Sequence, residues 1–208
     1  MLIVNVETFP RVTIILRGYD YSQVHMVVKN LINTKIGAVE ITMNSPKAIE
    51  TIAKISKEFG KDIKVGAGTV RTFDEAKEAI DAGASFILSP IMLSKEILDY
   101  CKENQVISVP GAFSPTEINQ SFLDGADIVK IFPAARLGSK YLSDIQAPLG
   151  KLPLMVVGGV NADNAKEYFD AGASYVGIGS GVFNKEDILS GNEEGIKASI
   201  KYFEQKLK

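Results

Sequence analysis

The sequence predicts a single (β/α)8 barrel, an α/β fold of the TIM-barrel type, that spans residues 1–208 as one domain. Three features favour this fold: an internal repeat, eight short apolar segments, and amphipathic stretches that alternate with those segments. A chain of 208 residues that is 46% hydrophobic and 23% charged can bury a large core without disulfides. An open, doubly wound sheet is the alternative fold, because the same alternation of strands and helices can build it.

The internal repeat is clearest at residues 80–87 and 169–176, where an Asp-Ala-Gly-Ala-Ser core leads into an apolar segment. Weaker copies lie at residues 36–39 and 124–128. Each copy is typical of a helix that ends at a left-handed glycine and is followed at once by a strand. The copies lie about 45 residues apart, roughly the length of two strand–helix units of a barrel.

Eight short segments rich in β-branched residues are predicted to be parallel strands that are covered on both faces. They are residues 12–17, 38–42, 63–66, 85–89, 106–109, 128–132, 154–157 and 175–179.

The stretches between and after the strands have apolar residues at helical spacing or begin with a helix-capping residue. The predicted helices are residues 46–59, 94–102, 114–123, 161–171 and 195–208. Ser114 and Glu117 form a capping-box pattern with Pro115 at the first helical position. His25 is expected on the outer face of the first helix.

The composition argues against several classes of protein. A net charge of -2 provides no large basic surface for nucleic acid or an anionic membrane. No apolar run approaches the roughly 20 residues that a membrane helix needs. The first ten residues lack the pattern of a signal peptide, and Cys101 is the only cysteine, so we expect a cytoplasmic protein. The single His25 excludes a two-histidine metal site within one chain, and we expect no metal.

Among the charged residues of the predicted strands, Lys130 and Glu40 lie in the middle of apolar segments, where charge is rarely buried without a reason. Burial of Lys130 would lower its pKa and give a neutral amine nucleophile; alternatively, Lys130 pairs with a carboxylate or extends to the rim. Glu40 is a candidate general acid/base with a raised pKa, or else the ion-pair partner of Lys130 or Arg17. Both interpretations place Glu40 and Lys130 in one pocket at the carboxyl ends of the strands.

Glycines follow three of the predicted strands. Those of the Gly66-Ala67-Gly68-Thr69 segment let the backbone approach a ligand, although a tight turn explains them equally well. Gly158 and Gly159 end the seventh strand, and Gly179 and Ser180 end the eighth. Loops at these two places often bind phosphate in barrels of this type, so we expect a phosphate site rather than turns alone.

These residues resemble the class I aldolases of the KDPG/KHG family, which act on 2-keto-3-deoxy-6-phosphogluconate (KDPG), 2-keto-4-hydroxyglutarate (KHG) and 2-keto-3-deoxy-6-phosphogalactonate (KDPGal). The resemblance covers nearly the whole chain, from the Ile14-Ile15-Leu16-Arg17-Gly18 segment to Ser180. The other motifs that carry it are Val39-Glu40-Ile41-Thr42, Gly66-Ala67-Gly68-Thr69-Val70, Ser89-Pro90, Pro110-Gly111, Lys130-Ile131-Phe132-Pro133-Ala134 and Gly158-Gly159.

The resemblance implies a barrel enzyme that forms a covalent imine on Lys130, uses Glu40 as acid/base and needs no cofactor. It also implies a homotrimer and a phosphorylated keto acid as substrate. By this resemblance, Thr69 would bind the pyruvyl carboxylate, Phe132 would lie beside the imine, and Gly158, Gly159, Gly179 and Ser180 would surround the phosphate. Arg17 is a further candidate for the carboxylate, and Asn44, Pro90 and Val157 are further candidates for binding the substrate.

Two positions bear on the substrate. Phosphogluconate-type members of the family usually have arginine where this chain has Asn44, and threonine where it has Val157. The residues found here resemble the phosphogalactonate type, whose substrate has the opposite configuration at C4. Loss of a hydroxyl near that carbon can decide discrimination. We therefore expect the galactonate isomer, with the gluconate isomer and KHG as further substrates.

The expected reaction is reversible cleavage to pyruvate and glyceraldehyde 3-phosphate, or to pyruvate and glyoxylate from KHG. Two alternatives remain at the level of sequence. A phosphate-binding isomerase or epimerase would use Glu40 as its base without an imine. A sugar-phosphate sensor would keep the pocket without catalysis.

Overall fold

The computed structural model describes residues 6–207 and confirms the predicted barrel. All of its strands are parallel and join one sheet with the order β5-β4-β3-β2-β1-β9-β8-β7-β6. The strands are β1 Val12–Leu16, β2 Ala38–Thr42, β3 Lys64–Gly68, β4 Phe86–Leu88, β5 Ile107–Val109, β6 Gly111–Ala112, β7 Val129–Ile131, β8 Leu154–Val157 and β9 Tyr175–Ile178.

Strand β5 corresponds to the predicted fifth strand, residues 106–109, and β6 continues it beyond Pro110, which the prediction did not include. Proline has no backbone N–H and therefore interrupts a ladder of hydrogen bonds. Strand β5 pairs with β4, and β6 pairs with β7. The amides of Ile128 and Lys130 donate to the carbonyls of Ser108 (3.1 Å) and Pro110 (2.8 Å) and thereby close the barrel.

Helices alternate with the strands and cover the outside of the barrel. They are α1 Tyr21–Leu31, α2 Ala48–Phe59, α3 Phe73–Asp81, α4 Lys95–Glu103, α5 Pro115–Leu123, α6 Ala134–Leu137, α7 Lys140–Leu149, α8 Ala165–Asp170, α9 Lys185–Ser190 and α10 Glu193–Lys206, with a 3-10 turn at Val6–Thr8. The capping box of α5 is confirmed, since Ser114 accepts from the amide of Glu117 and Glu117 accepts from the amide of Ser114.

The ends of several elements differ from the sequence prediction. Helix α8 begins at Ala165 rather than at Asn161, because Asn161 Oδ1 accepts from the amides of Asp163 and Asn164 and holds a turn instead. Helix α10 begins earlier than predicted, where Asn192 caps it, and the predicted end at Lys208 lies outside the described residues. Strand β3 runs on to Gly68 because its glycines pair with β2.

Alternate residues of the strands divide the core into two layers. One apolar cluster fills the barrel, and the other packs the sheet against the helices. Ala38 and Ile128 belong to the inner cluster, so Glu40 and Lys130, each two residues further along its strand, also face the interior. His25 lies on the outside of α1, with its Nε2 3.0 Å from Oε1 of Glu58.

Within residues 6–207, no helix is long and apolar enough to cross a membrane. The same part of the chain has no cluster of three or more metal-ligating side chains.

Candidate active site

Lys130 is the central residue of β7 and is only 5% exposed. Its Nζ lies 4.7 Å from the centroid of the Phe132 ring, and it forms no ion pair or hydrogen bond with the other residues of the described chain. The pKa of Lys130 is lowered to about 8, chiefly by burial; the Glu40 carboxylate opposes this shift, and the Arg17 cation adds to it. A substantial fraction of this amine is therefore neutral near physiological pH.

Glu40 is 1% exposed and lies in β2. Its Oε2 accepts no hydrogen bond from any residue between 6 and 207. Burial raises the pKa of this carboxyl to about 7, although the positive charges of Lys130 and Arg17 act in the opposite direction. The group can therefore both give and take a proton near neutral pH.

Glu40 and Lys130 influence each other electrostatically without forming an ion pair in the described part of the chain. The sequence prediction that the two residues share a pocket agrees with this geometry. The alternative of a closed ion pair between Glu40 and Lys130 or Arg17 does not.

Arg17 follows β1, where its guanidinium joins the loops after β2 and β3. Its Nη1 donates to Oδ1 of Asn44 at 2.9 Å and to Oγ1 of Thr69 at 3.2 Å. Thr69 adopts a backbone φ of 61°, in the left-handed region that β-branched residues rarely enter. Strain of this kind persists where the surroundings fix the residue, as they do here through Arg17.

A second set of hydrogen bonds holds the loop after β2 against the loop after β1. The amide of Gly18 donates to Oγ of Ser45 at 2.8 Å, and that Oγ lies 2.8 Å from Oγ1 of Thr42. Because these bonds hold Ser45, they also fix the preceding residue, Asn44, next to Arg17. The sequence does not predict this role of Thr42 and Ser45, because short hydroxyl side chains near a strand end are common and carry no signal by themselves.

The glycines of β3 leave room for side chains inside the barrel, a role that the sequence interpretation did not include. A Cβ atom at Gly66 would collide with the Phe86 ring, and one at Gly68 would overlap the carboxylate of Glu40. Gly68 therefore makes room for Glu40 inside the barrel. The inward direction of both residues follows from strand parity, and that parity was the available signal in the sequence.

The glycine-rich ends of β8 and β9 lie together beside the loop that follows β7. Gly158 and Gly159 have φ angles of 95° and 81°, and the space for a Cβ atom is limited by Phe132 and Pro133 at Gly158 and by Ala135 at Gly159. A Cβ atom at Gly181 would meet the carbonyl of Val160, which brings the loop after β9 against the loop after β8. Backbone N–H groups in such loops can hold an anion.

The remaining predicted positions lie at strand ends. Val157 is the buried last residue of β8, and its Cγ2 limits the space above Gly177. Pro90 follows β4 and packs against Gly111. Gly179 and Ser180 are exposed after β9. The predicted site residues therefore surround the carboxyl ends of the strands.

Comparison with known proteins gives the same family along most of the chain. The family model described as KDPG and KHG aldolase matches residues 4–199. A probable 2-dehydro-3-deoxy-6-phosphogalactonate aldolase of Rhizobium meliloti is 33% identical over 170 residues, which are 81% of this chain and 80% of the relative. A 2-dehydro-3-deoxy-phosphogluconate aldolase of Treponema pallidum is 34% identical over 143 residues, or 68% of this chain and 67% of the relative.

Among solved structures, the KDPG aldolase of Legionella pneumophila superimposes with a TM-score of 0.85 and 26% identity. The superposition covers 96% of both chains. In that structure, pyruvate is captured at low pH as a covalent carbinolamine intermediate. Together with the family match and the two relatives, this similarity establishes that the chain belongs to the KDPG and KHG aldolase family of class I aldolases, which are carbon–carbon lyases.

Proposed function

We propose that the chain reversibly cleaves a 2-keto-3-deoxy-6-phospho sugar acid to pyruvate and glyceraldehyde 3-phosphate through an imine on Lys130. The observation that carries this proposal is the pair of Glu40 and Lys130: both are buried in the barrel interior, neither has an ion-pair partner among residues 6–207, and their pKa values are about 7 and about 8. An amine of lowered pKa is the nucleophile that attacks a ketone, and a carboxyl of raised pKa can move protons at the same pH.

The first half of the reaction builds an electron sink. Neutral Lys130 Nζ attacks the C2 ketone, and loss of water with uptake of one proton from the solvent gives the protonated imine; that proton returns to the solvent when the final imine is hydrolysed. Glu40 then takes the proton of the C4 hydroxyl as the C3–C4 bond breaks. The bonding electrons pass to the imine and form an enamine, while C4 leaves as the aldehyde carbon of glyceraldehyde 3-phosphate.

The second half returns the enzyme to its starting state. Glu40 gives the proton back to C3 of the enamine, directly or through a water molecule, and water hydrolyses the resulting imine to release pyruvate. One carboxyl group thus serves both steps, for which a pKa of about 7 is suited. No cofactor enters this sequence of steps.

Binding groups lie on both sides of the proposed reacting carbons. Arg17 and the Thr69 hydroxyl bind the pyruvyl carboxylate, and Phe132 covers the imine beside Lys130. At the other end, the backbone of Gly158, Gly159 and Gly179, together with Ser180, holds the phosphate. Binding a remote phosphate helps to hold the C3–C4 bond in the reactive geometry.

The galactonate isomer is the proposed preferred substrate. Val157 lies at the carboxyl end of β8, where a methyl group replaces the hydroxyl that threonine would offer near C4. The two named relatives do not favour either isomer. One is a probable phosphogalactonate aldolase and the other is a phosphogluconate aldolase, and they are 33% and 34% identical to this chain.

The direct test is an assay that measures pyruvate and the aldehyde product for the two C4 epimers and for KHG. We expect release of both products, fastest from the galactonate isomer, and none from the Lys130→Ala variant. Equal rates for both phosphorylated epimers would contradict the proposed preference. Binding without release of pyruvate would favour the sensor, and isomerisation without cleavage would favour the isomerase.

We further propose that each chain forms one barrel domain and that three chains assemble. Two large apolar side chains, Ile91 after β4 and Phe113 after β6, are exposed at 51% and 49%. Exposed apolar residues near one end of a barrel favour a surface that other chains cover.

A further inference from the structure

The hydrogen bonds of Arg17 within the described chain involve Nη1 of its guanidinium and leave Nε and Nη2 available to a ligand. A guanidinium carries five N–H groups, of which Nη1 has two, Nη2 has two and Nε has one. Both N–H groups of Nη1 have acceptors, namely Oδ1 of Asn44 and Oγ1 of Thr69. Nε and Nη2 donate to no residue in the described chain.

The free edge has the geometry that a carboxylate requires. Nε and Nη2 present two parallel N–H groups, which bind the two oxygens of a carboxylate side by side. The Thr69 oxygen accepts from Arg17, so its own hydrogen is left to donate to a nearby acceptor. Arg17 and Thr69 together can therefore present three donors to one carboxylate.

Asn44 is itself held in place. Its neighbour Ser45 accepts from the amide of Gly18 and contacts Thr42, so the loop after β2 cannot shift without breaking the contact with the loop after β1. The oxygen of the Asn44 side chain is committed to Arg17 at 2.9 Å. Within residues 6–207, this bond to Arg17 is the only hydrogen bond of the Asn44 side chain.

We infer that Asn44 is a positioning residue, which orients the Nε and Nη2 edge of Arg17 toward the substrate carboxylate and thereby sets the affinity for pyruvate rather than the preference for a C4 epimer. The inference rests on the proposed imine chemistry at Lys130. By this inference, Val157 determines the preference for one C4 epimer, and Asn44 does not.

The test measures the pyruvate concentration that gives half-maximal borohydride labelling. Asn44→Leu keeps the approximate volume of the side chain but removes the acceptor, so the guanidinium loses its fixed partner. We expect the half-saturating concentration to rise about ten-fold, the size expected for the loss of one charge-assisted hydrogen bond. Asn104→Leu is the matched control, since Asn104 lies after α4 and its side chain donates to the carbonyl of Tyr100, and it should leave the value unchanged.

Two further measurements separate positioning from a general structural effect. In the Arg17→Met background, Asn44→Leu should change the half-saturating concentration less than about two-fold, because coupled residues are not additive. The ratio of cleavage rates for the two C4 epimers should stay the same in Asn44→Leu and should change in Val157→Thr. If Asn44→Leu fails to fold, as judged by circular dichroism, Asn44→Ala takes its place.

The possible outcomes are distinct. An unchanged half-saturating concentration, an equal effect in the Arg17→Met background, or a changed epimer ratio in Asn44→Leu would each overturn the inference alone. Absence of labelling in the unaltered chain would overturn the proposed function and this inference with it.

Discussion

Glu40 is buried at a cost in folding free energy, and this cost has a defined dependence on pH. The carboxyl has a pKa of about 7 in the folded chain and an ordinary value near 4.5 when unfolded. A raised folded pKa means that the protonated group stabilises the fold below pH 4.5, and that this stabilisation is lost as the pH rises through 7. Lys130 has the opposite sign, because its lowered pKa gives a stabilisation that is present above 10.5 and is lost as the pH falls through about 8.

The Glu40→Gln variant tests whether the pKa of Glu40 is raised in the folded chain. Between pH 4.5 and 7, the free energy of unfolding of the unaltered chain should fall relative to the variant. The expected fall is up to about 3 kcal/mol, because one unit of pKa corresponds to about 1.4 kcal/mol. Urea unfolding at several pH values measures the difference, and parallel curves for the two proteins would contradict a raised pKa at Glu40.

Strand β3 leaves space for the Glu40 carboxylate because two of its inward-facing residues are glycines. Gly66 and Gly68 both face the interior, but a Cβ atom would meet the Phe86 ring at the first and the Glu40 carboxylate at the second. Their conformations are ordinary for a strand, so the requirement for glycine comes from space and not from φ.

Two alanine substitutions in β3 separate these roles. Gly68→Ala should displace the Glu40 carboxylate and lower kcat more than about 100-fold, a loss typical of misplaced acid/base groups. Gly66→Ala is the matched control on the same face of the same strand. It should lower the melting temperature through the Phe86 contact and leave kcat within a few-fold. Steady-state kinetics and thermal unfolding measure both effects, and full activity in Gly68→Ala would refute the role of Gly68.

The elements show which features the sequence predicts and which it does not. The eight strand segments and the capping box of α5 follow from local patterns, because burial and capping act through residues that are near in sequence. The start of α8 was predicted wrongly at Asn161, since an asparagine side chain can hold a turn as readily as it caps a helix. The division of the fifth strand depends on its two different neighbours across Pro110, and such pairing is not local information.

The sequence also predicts the candidate site only in part, because contacts between residues far apart in the chain are not visible in it. Lys130 and Glu40 stand out in the sequence because each interrupts an apolar strand. The contacts of Arg17 with Asn44 and Thr69 join residues that are 27 and 52 positions apart, and only the closed barrel brings them together. The left-handed conformation of Thr69 could not be predicted either, because threonine disfavours it and tertiary contacts impose it.

The exposed apolar residues near the carboxyl ends of the strands predict that several copies of the chain assemble. We expect light scattering to give three times the chain mass of 22.5 kDa. Ile91→Asp should place a charge in the covered surface and give a single chain. Leu189→Asp is the control, since Leu189 is similarly exposed at 47% but lies on α9, and its mass should stay at three chains. A single-chain mass for the unaltered protein would contradict the proposed trimer.

Reductive trapping by pyruvate and borohydride identifies the lysine that forms the imine. After proteolysis, mass spectrometry should find the reduced pyruvate adduct on the peptide that contains Lys130. The Lys130→Ala variant should remain unlabelled while keeping its fold. An adduct of equal yield in that variant, or on a different lysine of the unaltered chain, would contradict the assignment of Lys130 as the imine-forming residue.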